Sequence, residues 1–215
     1  MNKGFLVTFE GGEGCGKSTQ VKKFIEYLLQ NKYDFISTRE PGGTPFGEKV
    51  RQISQYDDEE LDAKVEALLI GASRCKLVQD VVSPALQQGK IVVMDRFYDS
   101  SLVYQGYAGS NGKILKDVKA ITKIAVGKIR PNLTFFLDIT PENGIERKAK
   151  KSTLDRYERK DKDYHTRVRE GYLTLAKLNK DRYVVIDANK PIEEIFNIIV
   201  DTFKARYSKF CAKQR

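Results

Sequence analysis

Short uninterrupted apolar runs alternate along the chain with longer amphipathic stretches, the pattern of a parallel α/β sheet covered by helices on both faces. The apolar runs predict strands at Phe5–Phe9, Tyr33–Ser37, Ile91–Met94, Leu133–Leu137 and Tyr183–Ile186. Helical periodicity predicts helices over Lys17–Gln30, Thr44–Ser54, Glu59–Gln88 with room for a break, Asn111–Lys128 and Pro191–Tyr207, and a charged helical region over 141–178. No repeat, low-complexity tract or flexible linker divides this series. The expectation is therefore one α/β domain over 1–215, a five-stranded parallel sheet flanked by helices. Ligands of such sheets bind beyond the carboxyl ends of the strands, so motifs placed there carry most weight.

At 215 residues and 40% hydrophobic, the chain is long enough for a full core. No apolar run approaches the roughly 18–20 residues of a spanning helix, and Met1-Asn2-Lys3-Gly4 leads straight into the first strand. Neither membrane insertion nor secretion is expected. Cys15, Cys75 and Cys211 are odd in number and lack metal-ligand spacing, which leaves a reducing cytoplasm as the default. The lone histidine, His165, lies in a charged stretch and reads as a surface residue.

The net charge of +9 calls for an anionic partner without choosing among nucleic acid, lipid and small phosphates. Its distribution narrows the choice. Residues 146–182 hold 13 Lys/Arg against 7 Asp/Glu, residues 202–215 hold 5 against none, and the remainder is slightly acidic. The tail reads as a solvated helix end whose cations complement the dipole.

Gly11-Gly12-Glu13-Gly14-Cys15-Gly16-Lys17-Ser18 fits G-x-x-x-x-G-K-[ST] in full, between a predicted strand and a predicted helix that begins with Thr19 in its first turn. Chance alone would place such a motif in roughly 1% of chains this long. Its glycines let backbone N–H groups curl around phosphates, Lys17 reaches the β and γ phosphates of a nucleoside triphosphate, and Ser18 holds Mg²⁺. Residues Gly11 to Thr19 are thus the candidate ATP site. Glu13 would be repelled by phosphates unless it faces something else, which makes it a candidate for acceptor binding.

Asn31-Lys32-Tyr33-Asp34 spells the guanine-reading N-K-x-D, but it follows the first helix rather than a late strand, and no D-x-x-G accompanies it. A nucleic-acid motor needs a longer chain, and the basic block lacks the interleaved aromatics of a strand-binding groove. A small kinase for a phosphorylated acceptor remains. It needs a donor site, a facing anion site and mobile positive charge over the transferring group. Arg39 after the second strand, Arg51 on the next helix, and Asp95-Arg96 after the third strand all fall at the carboxyl edge beside the phosphate loop.

The run Val93-Met94-Asp95-Arg96-Phe97-Tyr98-Asp99-Ser100-Ser101-Leu102-Val103-Tyr104-Gln105-Gly106 resembles the signature of the thymidylate kinases, the dTMP kinases of the nucleoside monophosphate kinase group. Thr38–Thr44, Arg130–Pro141, Leu154-Asp155-Arg156 and Ile186-Asp187-Ala188 resemble that family too, and the similarity runs from about residue 4 to about residue 200. The resemblance implies a P-loop kinase fold with a short helical lid over about 141–160. It further implies ATP-Mg²⁺-dependent conversion of dTMP to dTDP for dTTP synthesis, by a cytoplasmic homodimer whose partners are small nucleotides rather than nucleic acid.

By position, it implies that Arg96 and Arg51 grip the acceptor phosphate with Arg39 near by, a task suited to bidentate guanidinium contacts. It implies Asp95 with Ser18 at Mg²⁺, and Ser100, Ser101, Tyr104 and Gln105 at the nucleoside, with Tyr104 crowding the position of a ribose 2′-hydroxyl. Arg74 would donate to thymine. Four residues earlier, where the family usually has a stacking aromatic ring, this chain has Ile70. In the lid, Arg147 is the first choice for charge on the transferring phosphoryl and Lys151 the second, while Ala149 stands where a basic residue is common. A kinase for another nucleoside monophosphate is favoured by Ile70 alone, and a nucleic-acid-binding P-loop ATPase is the alternative of another class.

Overall fold

The computed structural model describes residues 4–57, 59–149 and 155–214. Five strands, β1 (Phe5–Gly11), β2 (Phe35–Arg39), β3 (Ile91–Asp95), β4 (Leu133–Asp138) and β5 (Tyr183–Asp187), form one parallel sheet in the order β2-β3-β1-β4-β5. The chain leaves β1 toward β2 on one side and later crosses to β4 on the other, so the phosphate loop after β1 lies centrally at the carboxyl edge. Phe9 and Arg39 both pair with Asp95, which sets the ends of three strands side by side.

Alternation along β1 divides its side chains between two buried layers. Phe5, Val7 and Phe9 join Phe24 of α1 (Lys17–Gln30) and Ile199 and Phe203 of α9 (Ile192–Ala212) in one layer. Leu6 joins the other, with Met94, Phe97, Val103, Phe136 and Tyr172. Thr8 and Glu10 share the face of Leu6 and are fully buried.

The helical expectations hold in position but differ in number and at their ends. The long 59–88 stretch is broken: α3 (Ala63–Leu77), capped by Asp62, runs through a π-helical turn at Val78–Val82 into α4 (Ser83–Gln87). The charged region is two helices, α7 (Pro141–Ala149) and α8 (Lys162–Leu178). Helix α9 extends five residues beyond Tyr207 because Tyr207 and Phe210 continue its apolar face onto the Phe5 ring. Strand β2 begins two residues later than the apolar run, since the Tyr33 ring packs on Phe203 and Tyr207 instead.

Helices α2 (Pro45–Tyr56) and α6 (Leu115–Val126) complete the predicted set. Not foreseen was α5 (Tyr98–Ser101), which continues as a π-helical segment over Leu102–Ala108 and carries the Asp95–Gly106 signature away from the sheet edge. His165 corrects the sequence reading. It is 5% exposed, because His165, Val168 and Tyr172 recur at the spacing of one helix face and α8 turns that face inward. The Asn31–Asp34 segment caps α1 and precedes β2, at the opposite end of the sheet from the phosphate loop.

Candidate active site

At the carboxyl edge a cleft of about 180 Å³ opens between the phosphate loop, α2, α3, α5 and the α7–α8 connection. Its walls bring together Glu13, Lys17, Ser18, Arg39, Arg51, Ile70, Arg74, Asp95, Arg96, Ser100, Ser101, Tyr104 and Gln105, every candidate acceptor and metal residue of the sequence reading.

The phosphate loop turns through left-handed glycines, with φ of 71° at Gly14 and 81° at Gly16, before α1 starts at Lys17. The first turn of α1 holds no acidic residue, so its N–H groups and dipole are free to favour an anion. Gly11 and Gly12 lead into the loop, Cys15 is buried beneath it, and Ser18 and Thr19 stand exposed at the helix start. Lys17 Nζ pairs with Asp95 at the end of β3. Burial opposes charge on Asp95, but Lys17, Arg96 and Arg51 outweigh it and hold the carboxyl below its ordinary range.

Arg96 has a φ of 69°, a left-handed backbone that costs a non-glycine residue about 1–3 kcal/mol unless its surroundings fix it. Its Nη1 donates to Gly11 O at 2.9 Å, Tyr172 OH at 3.2 Å and Ser100 Oγ at 3.3 Å, while Nη2 meets Glu13 Oε1 at 3.0 Å. The guanidinium lies 4.9 Å above the Tyr104 ring, whose hydroxyl also donates to Glu13 Oε1 at 3.0 Å. Glu13 thus faces Arg96 and Tyr104. Burial raises its pKa, but Arg96, Lys17 and Lys148 prevail and keep it below the usual carboxylate value.

The far wall is held by buried polar contacts. Arg74, 1% exposed, donates through Nε to Glu40 Oε2 at 2.7 Å and through Nη2 to Ser101 Oγ at 3.0 Å. Ile70 borders the cleft one turn before it. Gln105 Nε2 reaches Glu66 Oε2 at 3.2 Å and Tyr157 OH at 3.3 Å, and Arg156 closes the same cluster on Glu66 Oε1 at 2.5 Å. Oxygens of Glu40, Gln55 and Gln105 are buried without a hydrogen-bond donor among the described residues, and all three side chains border the cleft. At the rim, Arg39 pairs with Glu48 at 2.9 Å and Arg51 donates to Pro41 O at 3.2 Å.

Helix α7 rests on the phosphate loop through two glycines. A Cβ on Gly144 would stand 2.4 Å from Glu13 O, and one on Gly14 would stand 2.1 Å from Gly144 O. One turn after Gly144, Lys148 points the same way, pairs with Glu158 and lies 3.7 Å from Glu13 Oε2. Arg147, the first lid candidate, instead donates to Ala188 O at 2.9 Å and does not line the cleft. Adjacent residues on a helix diverge by about 100°, so the Gly144 contact turns Lys148 inward and Arg147 outward. Lys151 lies outside the described residues.

Four cleft residues escaped the sequence reading: Gln55, Lys148 as an inward-facing cation, Tyr157 and Glu158. Glu10 and Tyr172 behind Arg96 escaped it too. Glu10 had a legible signal, a carboxylate continuing the apolar run Phe5–Phe9 directly into the phosphate loop.

A divalent cation fits the donor set. No group of three or more His, Cys, Asp or Glu among the described residues is placed to hold a metal alone. Mg²⁺, however, is ordinarily held by one or two carboxylates together with substrate phosphates. An ionised Asp95 and the Ser18 hydroxyl, both on the cleft wall, meet that need.

The family model described as thymidylate kinase matches residues 9–199. The chain is similar to the thymidylate kinase of Thermoanaerobacter sp. (strain X514), with 44% identity over 202 residues, covering 94% of this chain and 98% of that protein. It is similar to that of Lactobacillus helveticus (strain DPC 4571), with 43% identity over 208 residues, covering 95% and 97%. Among solved structures, thymidylate kinase from Ehrlichia chaffeensis superposes with a TM-score of 0.75 at 30% identity, covering 93% of this chain and 98% of that one. With the family model matching residues 9–199 and relatives 43–44% identical along nearly the whole length, the chain belongs to the thymidylate kinase family.

Proposed function

We propose that the protein transfers the γ-phosphoryl of ATP to dTMP, releasing ADP and dTDP for dTTP synthesis, as a Mg²⁺-dependent cytoplasmic homodimer with one kinase domain per chain over 1–215. One observation carries this reading: a single cleft is lined both by Lys17 and Ser18 after the phosphate loop and by the three arginines Arg39, Arg51 and Arg96. Two phosphorylated ligands entering from opposite sides would meet end to end there.

In the reaction an acceptor phosphate oxygen forms a bond to the γ-phosphorus as the bond to the β,γ-bridging oxygen breaks and ADP departs. The acceptor phosphate has its second pKa near about 6, so it arrives ionised and no general base is needed. Catalysis is positioning and charge neutralisation. Lys17 binds the β and γ phosphates after exchanging its Asp95 contact for them. Arg96 and Arg51 orient the acceptor phosphate, Ser100, Ser101, Tyr104 and Gln105 border the nucleoside, and Ile70 and Arg74 border the base. When bound by Asp95 and Ser18, Mg²⁺ supplies neutralisation of the bridging phosphates. Lys148 is the lid cation best placed to approach the transferring group, with Arg147 and Lys151 as further members of the lid.

Chromatography of a reaction containing ATP, dTMP and Mg²⁺ tests the assignment. ADP and dTDP are expected in equal amounts, and a protein that consumes ATP without forming dTDP would refute it.

A further inference from the structure

Glu10 lies behind the cleft rather than in it, at the sixth position of β1, and is fully buried. Strand alternation sends its side chain to the side of α5 and α8. Three donors converge on its carboxylate: Phe97 N–H on Oε1 at 2.8 Å, and Ser100 Oγ and Tyr172 OH on Oε2 at 2.7 Å and 2.9 Å. The same two hydroxyls accept from Arg96 Nη1.

Each hydroxyl has a single hydrogen. The two hydroxyls also stand 2.8 Å from each other, but a charged carboxylate is the stronger acceptor and draws both hydrogens. Both oxygens then keep lone pairs turned to Arg96, so the carboxylate sets the polarity of the chain Glu10–hydroxyl–Arg96. The bond from Phe97 N–H also anchors the residue immediately after the left-handed backbone of Arg96. The charged groups around this cluster are Arg96, Asp99 on α5 and Arg182, which holds Asp99 through two bonds at 2.6 and 2.9 Å. Asp99 is therefore already committed, leaving Glu10 as the carboxylate that meets both hydroxyls.

We propose that Glu10 is the positioning residue of Arg96: through Ser100, Tyr172 and the Phe97 amide it holds the guanidinium in the attitude that receives the acceptor phosphate. This rests on the reading of the cleft as a dTMP kinase site. A glutamine has the same shape but offers one acceptor oxygen and one donor NH₂. It must set a donor against either the Phe97 N–H or the two hydroxyls, and Arg96 loses aligned acceptors in consequence.

The test compares wild type with Glu10→Gln, and uses thymidine, which lacks the phosphate, as a competitive inhibitor. The inference expects kcat/KM for dTMP to fall at least tenfold, with the inhibition constant of thymidine and the KM of ATP within twofold of wild type. A kcat/KM within threefold of wild type would overturn it, as would a loss shared equally by thymidine, which indicates general damage to the pocket. Should Glu10→Gln fail to fold by circular dichroism, Tyr172→Phe removes one hydroxyl of the same cluster and decides the matter. A three- to tenfold loss confined to dTMP supports the inference, and no loss overturns it. Wild type unable to phosphorylate dTMP would instead refute the assigned reaction, so the two failures are distinguishable.

Discussion

Gly144→Ala probes the seat of α7 on the phosphate loop. The added methyl would stand 2.4 Å from Glu13 O and 3.5 Å from Glu13 C, both backbone atoms. Carbon–oxygen contacts settle at about 3.3–3.6 Å, so helix and loop must separate by about 1 Å. Lys148 sits one helical turn further on the same face, 3.7 Å from Glu13 Oε2, and would be carried out of ion-pair range. Displacements of about 1 Å cost around 10²-fold in a positioned phosphoryl transfer.

Stability should respond differently. Replacing a helical glycine with alanine contributes about 0.5–1 kcal/mol, which offsets part of the contact strain. The predicted result is a kcat lowered about 30- to 100-fold with Tm within about 4 °C of wild type. Coupled ADP release and a thermal melt measure both, with Glu146→Ala on the exposed face of α7 as control. A kcat within threefold of wild type, or a collapse of Tm, would refute the reasoning.

Lys148→Ala should lower kcat at least tenfold and more than Arg147→Ala, because Lys148 lines the cleft and Arg147 holds Ala188 O; steady-state kinetics with the opposite ranking would return the lid role to Arg147. Ile70→Phe should lower the KM of dTMP about three- to tenfold, as base stacking on a ring contributes about 1–3 kcal/mol, and an unchanged KM would remove Ile70 from the base pocket. Burial first, then Asp99, raises the pKa of Glu10 to about 7 against the opposing effects of Ser100, Arg96 and Phe97. A carboxyl raised in the folded state binds its proton more tightly than in the unfolded chain, so stability falls as pH rises from about 4.5 to about 7. Denaturant unfolding of wild type relative to Glu10→Gln should record this decline, by up to about 3 kcal/mol, and parallel pH profiles would contradict it.

The strands were legible because a strand buried on both faces leaves an unbroken apolar run, as in Phe5–Phe9 and Leu133–Leu137. The site was legible where chemistry and backbone coincide: the phosphate loop after β1, Arg39 at the end of β2, and Asp95-Arg96 at the end of β3 each stand where a strand ends. Helix phase was not. Whether Arg147 or Lys148 faces the cleft depends on the Gly144–Glu13 backbone contact, which no local pattern encodes. His165 was misread for the same reason, since the charge around it conceals an inward face that also carries Val168 and Tyr172. Residues that act through others, such as Tyr172 on Arg96, are 76 positions apart in sequence and meet only in the fold.

The acceptor assignment is tested most directly by coupled ADP release with dTMP, dUMP, UMP, CMP, AMP and GMP under identical ATP and Mg²⁺. The account predicts the highest kcat/KM for dTMP, a lower value for dUMP, and little turnover of the ribonucleotides, whose 2′-hydroxyl would meet Tyr104 in the proposed binding mode. Equal or faster turnover of another monophosphate, or ATP hydrolysis independent of any monophosphate, would contradict it.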